Sequence, residues 1–264
     1  MRKNYKKWKS GLLLCFLFAT AFSSLQAQVV NTYGFSATSG TYTPLIGGTT
    51  SGLTATADDN LSAALPIGFN FVYGGTTFTT FKVSSNGAVY FGTGATTAVN
   101  NLATATASQR PGLAPLWDDL QCTSGINYLT TGAPGTQVLT IQFATMEWNW
   151  QSTTSVISFQ VKLYEGTNRI DFVYQQEATP VNSGSASIGL MGLASTDFIS
   201  LQGTGAAPTR STTVSTNTLN AKPATGQIYS WMAAPAAPSA ITEVAGSPDC
   251  ITGTNIEILG APTN

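Results

Sequence analysis

Apolar and polar residues alternate with a period of two along much of the chain. The alternation is cleanest over residues 65–92. Ile67, Phe69, Phe71 and Tyr73 fall on one side, and Gly68, Asn70 and Val72 on the other. That is the pattern of a strand with one face on a core. Gly74-Gly75 permits the positive φ of a tight turn. Residues 78–83 then predict a second strand, Ser85-Asn86-Gly87 a second turn, and 88–91 a third strand, so the stretch reads as an aromatic-rich meander. It contains no catalytic group, and the rest of the chain is organised around it.

The same reading predicts strands over 29–37, 113–120, 126–131, 137–148, 156–164, 169–174, 187–193, 196–201 and 227–232. Residues 41–46 predict an edge strand, because Pro44 cannot donate to a central ladder. Along 156–164, Ile157, Phe159, Val161 and Leu163 face in, and Ser158, Gln160 and Lys162 face out. Residues 165–168 form a four-residue hairpin loop. The Ala/Thr/Asn-rich connection 93–109 is a short helix or a long surface loop, and 203–222 is a Thr/Ser-rich loop. No amphipathic helical stretch of useful length interrupts the strands. The expected fold is therefore all-β: an antiparallel two-sheet β-sandwich of jelly-roll-like type over residues 28–232.

Both ends change the picture. Arg2, Lys3, Lys6, Lys7 and Lys9 precede an apolar run over 11–22, and Ala27 offers a small residue for cleavage. Residues 1–27 read as a signal peptide, too short in its apolar run to span a bilayer comfortably. Leu14 stands where a lipoprotein leader needs a small residue before Cys15. From Ala233 the chain turns to Pro and Ala, and 233–264 reads as a linker and the start of an incomplete following module.

Charge follows from this division. Of eleven Lys and Arg, five lie in the leader, whereas all twelve Asp and Glu follow it. Six cations against twelve anions leave the mature chain near −6. Nucleic-acid binding needs a basic footprint, and attachment to anionic lipid needs one too. Neither partner is expected, nor is membrane insertion after leader removal. Charged residues are only 9% of the chain, with 42% hydrophobic, which is not the composition of disorder. A Thr-rich, Lys-poor, His-free chain suits an extracellular β protein with neutral outer faces. Cys122 and Cys250 lie on opposite sides of the expected boundary and are not expected to pair.

The order of LPIGFNFVYGGTTFTTFKVSSNGAVYFG, LAPLWDDL, ISFQVKLYEGTNRIDFVY and SIGLMG resembles the nidogen-type (NIDO-like) extracellular β domain. It is similar, more narrowly, to N-terminal domains of large bacterial surface proteins exported by the type IX pathway, whose leaders often end in a sequence like Leu25-Gln26-Ala27-Gln28. The resemblance spans roughly residues 29–232. It implies a secreted or surface-exposed, adhesin-like module followed by further β modules. It also places an acid after Trp117 in a structural role. The type IX pathway reads a C-terminal sorting domain, and nothing after Ala233 resembles one.

Chemistry is sparse. The absence of histidine removes Ser-His-Asp, Cys-His and His-metal arrangements together, and Cys122 has no imidazole to activate it. Asp118-Asp119 is the most suggestive pair, but strand neighbours point to opposite faces, so the two read as structural carboxylates. Asp58-Asp59-Asn60 offers oxygens of the kind calcium takes. It lacks the DxDxDG spacing, and an ordinary solvated turn is the favoured reading. No cofactor is otherwise expected. Trp148 and Trp150, with Glu147 and Asn149, fit a sugar-stacking platform as well as sandwich core. Three functional classes result. The first is a non-catalytic surface module used in adhesion or spacing, with a surface protein or extracellular glycan as partner. The second is a carbohydrate-binding module. The third is a glycoside hydrolase using Glu147, Asp171 or Asp118.

Overall fold

The computed structural model describes residues 29–234 apart from 97–98, 150–151 and 153. The expected leader, Trp150, Cys250 and the tail from 235 lie outside these residues. In chain order the strands are β1 (Gly34–Ser39), β2 (Thr49–Thr50), β3 (Leu65–Tyr73), β4 (Thr76–Ser84), β5 (Ala88–Tyr90), β6 (Gly112–Trp117), β7 (Leu120–Gln121) and β8 (Ile126–Thr131). They continue with β9 (Val138–Trp148), β10 (Ile157–Tyr164), β11 (Ile170–Gln176), β12 (Ser187–Met191), β13 (Phe198–Leu201), β14 (Arg210–Ser211) and β15 (Gln227–Met232).

Each sheet is built on one meander. The first runs β1-β15-β11-β10-β9-β8-β2, with β7 paired to the end of β9. The second runs β14-β13-β12-β6-β5-β4-β3. Every strand pairing among the described residues is antiparallel. The protein is the all-β two-sheet sandwich that the alternation predicts. Along β3 the burial alternates residue by residue, with Ile67, Phe69, Phe71 and Tyr73 inside. Ile141, Phe143, Phe159, Val161, Phe172 and Trp231 of the first sheet share one core with Ile67, Phe71, Val83, Leu113, Leu190 and Ile199 of the second. The sheets are also tied by hydrogen bonds. The Thr130 hydroxyl donates to Ile67 O over 2.6 Å, and the Tyr174 hydroxyl to Pro115 O over 2.6 Å.

Alternation alone misplaces residues 41–46, the outward face of Ser158 and Gln160, and the start of the first strand, while the 93–109 connection is the loop of its two expected forms. Residues 41–46 form no strand. The Leu45 amide donates to Gln142 Oε1 at 2.6 Å, and Gln160 Nε2 donates to Thr43 O at 2.7 Å, so side chains of β9 and β10 satisfy this segment in place of a ladder. The segment covers the outer face at that point, and Ser158 and Gln160 are therefore buried rather than solvent-facing. On the other sheet the 93–109 connection is a loop ending in a 3-10 turn, Ala107–Gln109. It lays Leu102 and Ala105 over the outward residues Tyr90, Ala114, Trp117 and Met191 as a second apolar cluster. At the start of the chain, Val30–Thr32 is a 3-10 turn rather than strand. The Val30 and Asn31 amides donate to the Asp197 carboxylate at 3.1 and 2.8 Å, which holds that turn.

Two bulges re-aim side chains near the ends of β9 and β6. In β9, Phe143 faces Phe159 while Met146 faces Ile157, which leaves one extra residue on β9. Thr145 there has a φ of 50°, and its amide donates to the Ser158 hydroxyl at 2.8 Å. In β6, Ala114 faces Gly189 and Trp117 faces Ser187, so Pro115 sits in the bulge, where its missing N–H leaves no ladder bond unmade.

Candidate acidic site

The sandwich brings three turns together at one end. The turn between β4 and β5 is Ser85-Asn86-Gly87. Gly87 has a φ of 76°, and a Cβ there would run into the Leu116 carbonyl oxygen, so this close approach of β6 requires glycine. The Asp118 amide then donates to Asn86 O at 3.2 Å. The loop before β3 is tied to both neighbours. Cys122 N donates to Ala57 O at 3.0 Å, Thr56 N to Cys122 O at 2.7 Å, and Ser85 N to Asn60 O at 3.0 Å.

These bonds place Asp58, Asp59 and Asp119 so that one carboxylate oxygen of each lies within 4.8 Å of the others. Asp58 and Asp119 are half-buried and Asp59 exposed. Burial raises the Asp119 carboxyl above the usual range, and Asp58, Asp59 and Asp118 raise it further. Burial raises Asp58 likewise, followed by the charge of Asp59. The one ion pair among the described residues is Arg169–Asp171 at 3.1 Å, so no cation of those residues pairs with this cluster. Asn60 is not part of it: its Oδ1 accepts from the Asp58 amide at 3.1 Å and shapes the turn. Asn86, whose Nδ2 donates to Asp59 Oδ1 at 2.8 Å, is the neighbour that linear spacing does not reveal. Its only linear signal is membership of a Ser-Asn-Gly turn.

Asp118 and Asp119 part company at the end of β6. Asp118 is 5% exposed and accepts four hydrogen bonds. Trp148 Nε1 and Ser185 N reach Oδ2, each at 2.6 Å. The Ser185 hydroxyl and the Asp119 amide reach Oδ1, each at 2.9 Å. A carboxylate with both oxygens doubly engaged is a strut joining β6, β9 and the segment before β12.

A family model described as "NIDO related" matches residues 32–233, well over half of the chain. The chain belongs to the NIDO-related family. No curated protein and no solved structure is matched.

Within this NIDO-related domain Trp148 does not offer the stacking face that a sugar platform needs, and Trp150 lies outside the described residues. The β9 bulge turns Trp148 to the core side, where it is 0% exposed with its indole N–H on Asp118. A ring so placed has no face for a pyranose. Glu147 is 8% exposed, and burial raises its carboxyl above the usual range. Asn149 turns the chain at a φ of 90° and donates its amide to Asp119 O at 3.0 Å. Asp171, 5% exposed, is held by Arg169, whose guanidinium also lies 3.8 Å from the Tyr164 ring centroid.

Cys122 is buried and free, and burial, with the Asp58 charge, pushes its thiol up to about 12. An ordinary thiol near 8.5 is substantially ionised at pH 8, whereas this one is almost wholly protonated. Iodoacetamide at pH 8 is expected to leave Cys122 unmodified in the native protein and to modify it fully in urea, as read by peptide mass mapping. Rapid labelling of the native protein would show that β7 opens readily.

Proposed function

We propose that the protein is a non-catalytic, exported surface module of a bacterial adhesin-like protein. Its domain, residues 28–232, would be released by cleavage after Ala27 and followed through the 233–264 segment by further β modules. The observation that carries the non-catalytic part is the state of the carboxylates a hydrolase would use. Asp118, Glu147 and Asp171 are all buried, with Asp118 engaged by four donors and Asp171 paired through Oδ2 with Arg169. A general acid or nucleophile has to reach substrate, and these three support a scaffold instead.

Export is supported by the basic and apolar start of the chain, by the NIDO-related family and by the neutral Thr-rich surface. No helix among the described residues is long and apolar enough to cross a membrane. The leader end at Leu25-Gln26-Ala27-Gln28 supports the type IX route for the narrower setting. The expected partner is a surface protein or glycan bound through the loops or outer faces of the sandwich, with no nucleic acid. Protein recovered from producing cells is expected to begin at Gln28 and to be cut by protease added to intact cells, or to be found in the medium. Recovery of Met1 in a pool protected from external protease would overturn this reading.

A further inference from the structure

The Asn86 side chain is 0% exposed, yet its Oδ1 has no hydrogen-bond partner. A fully buried amide oxygen left without a donor is rare in native proteins. Its Nδ2, by contrast, sits between two oxygens, Asp59 Oδ1 at 2.8 Å and the Thr96 carbonyl at 3.2 Å. One oxygen of Asp58, Oδ1, is buried and equally without a partner. One orphaned oxygen therefore lies on a side chain bonded to the cluster and another belongs to the cluster itself, whose three carboxylates have no cation partner among the described residues. We propose that Asp58, Asp59, Asp119 and the side-chain oxygen of Asn86 form a calcium site that staples three turns at this end of the sandwich.

The spacing fits one ion. Calcium holds its oxygens at about 2.3–2.6 Å, so two ligands of one ion lie at most roughly 5 Å apart. The three carboxylate oxygens meet that limit, all lying within 4.8 Å of one another. The Asn86 amide is already in contact with Asp59 through Nδ2, and a flip of the amide, which exchanges its oxygen and nitrogen, turns Oδ1 toward the carboxylates. The donor set also selects the metal. All the candidate ligands are oxygens and the chain has no histidine, so zinc is disfavoured. The ligands come from three separate segments, the 57–60 loop, the β4–β5 turn and the β6–β7 break. That arrangement suits the irregular, higher coordination of calcium better than the strict octahedron of magnesium. The ion would sit beside Asp118 in sequence and so reinforce the strut that holds Trp148.

The test uses the full chain stripped with chelator and titrated with calcium while thermal unfolding and binding heat are recorded. At a hundredfold excess over Kd the unfolding midpoint is expected to rise by roughly 5 °C or more, and magnesium at the same concentration should do markedly less. Asp59→Asn and Asp119→Asn should abolish the calcium response. Each should also unfold, without calcium, at or above the wild-type midpoint, because one member of a repelling cluster is gone. That last readout separates a metal ligand from a structural carboxylate, whose loss would lower the midpoint. Asn86→Ala should bind calcium more weakly by at least tenfold. Should either aspartate variant fail to fold, calorimetry on the wild-type chain still decides. No binding heat and no midpoint shift at 10 mM calcium would overturn the proposal, as would an equal response to magnesium or a response that survives in the foldable variants.

Discussion

Asp118→Asn is expected to destabilise the protein by about 3–5 kcal/mol, the range for breaking a buried charged network. The substitution keeps the shape and removes only one acceptor oxygen. Asp118 has no oxygen to spare. Trp148 Nε1 and the Ser185 amide converge on Oδ2, and the Ser185 hydroxyl and Asp119 amide on Oδ1. Whichever way the asparagine amide turns, its NH2 group faces two donors. Each stranded buried donor costs on the order of 1–3 kcal/mol, which reaches the same range from the other side. Ser185→Ala removes a single hydroxyl donor, leaves the backbone bond intact, and should cost about 1 kcal/mol. Equilibrium urea unfolding of the three proteins, with near-ultraviolet circular dichroism to follow the Trp148 indole, measures both values. A loss below about 1 kcal/mol for Asp118→Asn, the range of an ordinary surface change, would mean that the strut does not bear on stability.

The contrast between Asp118 and Asp119 marks how far the sequence could be read. The meander of β3, β4 and β5 was legible chiefly from β3, where one face meets the core and the other meets solvent, so burial imprints a period of two on the residue types. The same holds for β15, whereas the β10–β11 hairpin was legible from its alternating residue types although its outer face is largely covered. What was not legible lies wherever side chains from elsewhere replace the local rule. Residues 41–46 look like a strand, but Gln142 and Gln160 satisfy their backbone from another part of the chain. Ser158 and Gln160 look outward-facing, but that same segment covers them. In β9 one extra residue reverses the alternation, so Trp148 points inward, and no property of Ala144 or Thr145 announces the bulge. The acidic site was half visible. Asp58 and Asp59 could be suspected as oxygen donors from composition. Asn86 and Asp119 belong to other turns, and only the pairing of β4, β5 and β6 brings those turns together. Asp118 and Asp119 carry the same side chain in adjacent positions. One lies against Trp148 and Ser185, the other against Asp58 and Asp59, and nothing in the sequence distinguishes them.

Phe159→Ala is expected to cost about 3–5 kcal/mol through lost transfer energy and the cavity left behind. Phe159 is fully buried in the middle of β10. Its ring stacks on Phe143 of β9 at 4.5 Å with an interplanar angle of 16°, and the Tyr174 ring of β11 lies at 6.4 Å. The residue therefore bridges three adjacent strands of the first sheet and faces the second sheet across the core. Its pairing with Phe143 is also the last one before the β9 bulge. Strands on both sides are held by their own ladders, which limits collapse into the space a methyl group would leave, so the upper part of the range is expected. Phe35 provides the comparison. It lies on β1 at the border of the same sheet, only half-buried, with its ring 4.6 Å from that of Trp231. Phe35→Ala removes a ring of equal size from a site that water already reaches, and it should cost at least 1.5 kcal/mol less, on the order of 1–2 kcal/mol by the apolar area involved. For a domain of this size, each kcal/mol lowers the thermal midpoint by roughly 2–4 °C. The two variants should then separate by several degrees in calorimetry. Equal losses would mean that the strand centre is no better packed than the sheet edge, and a loss below about 1 kcal/mol at Phe159 would place its ring outside the core altogether.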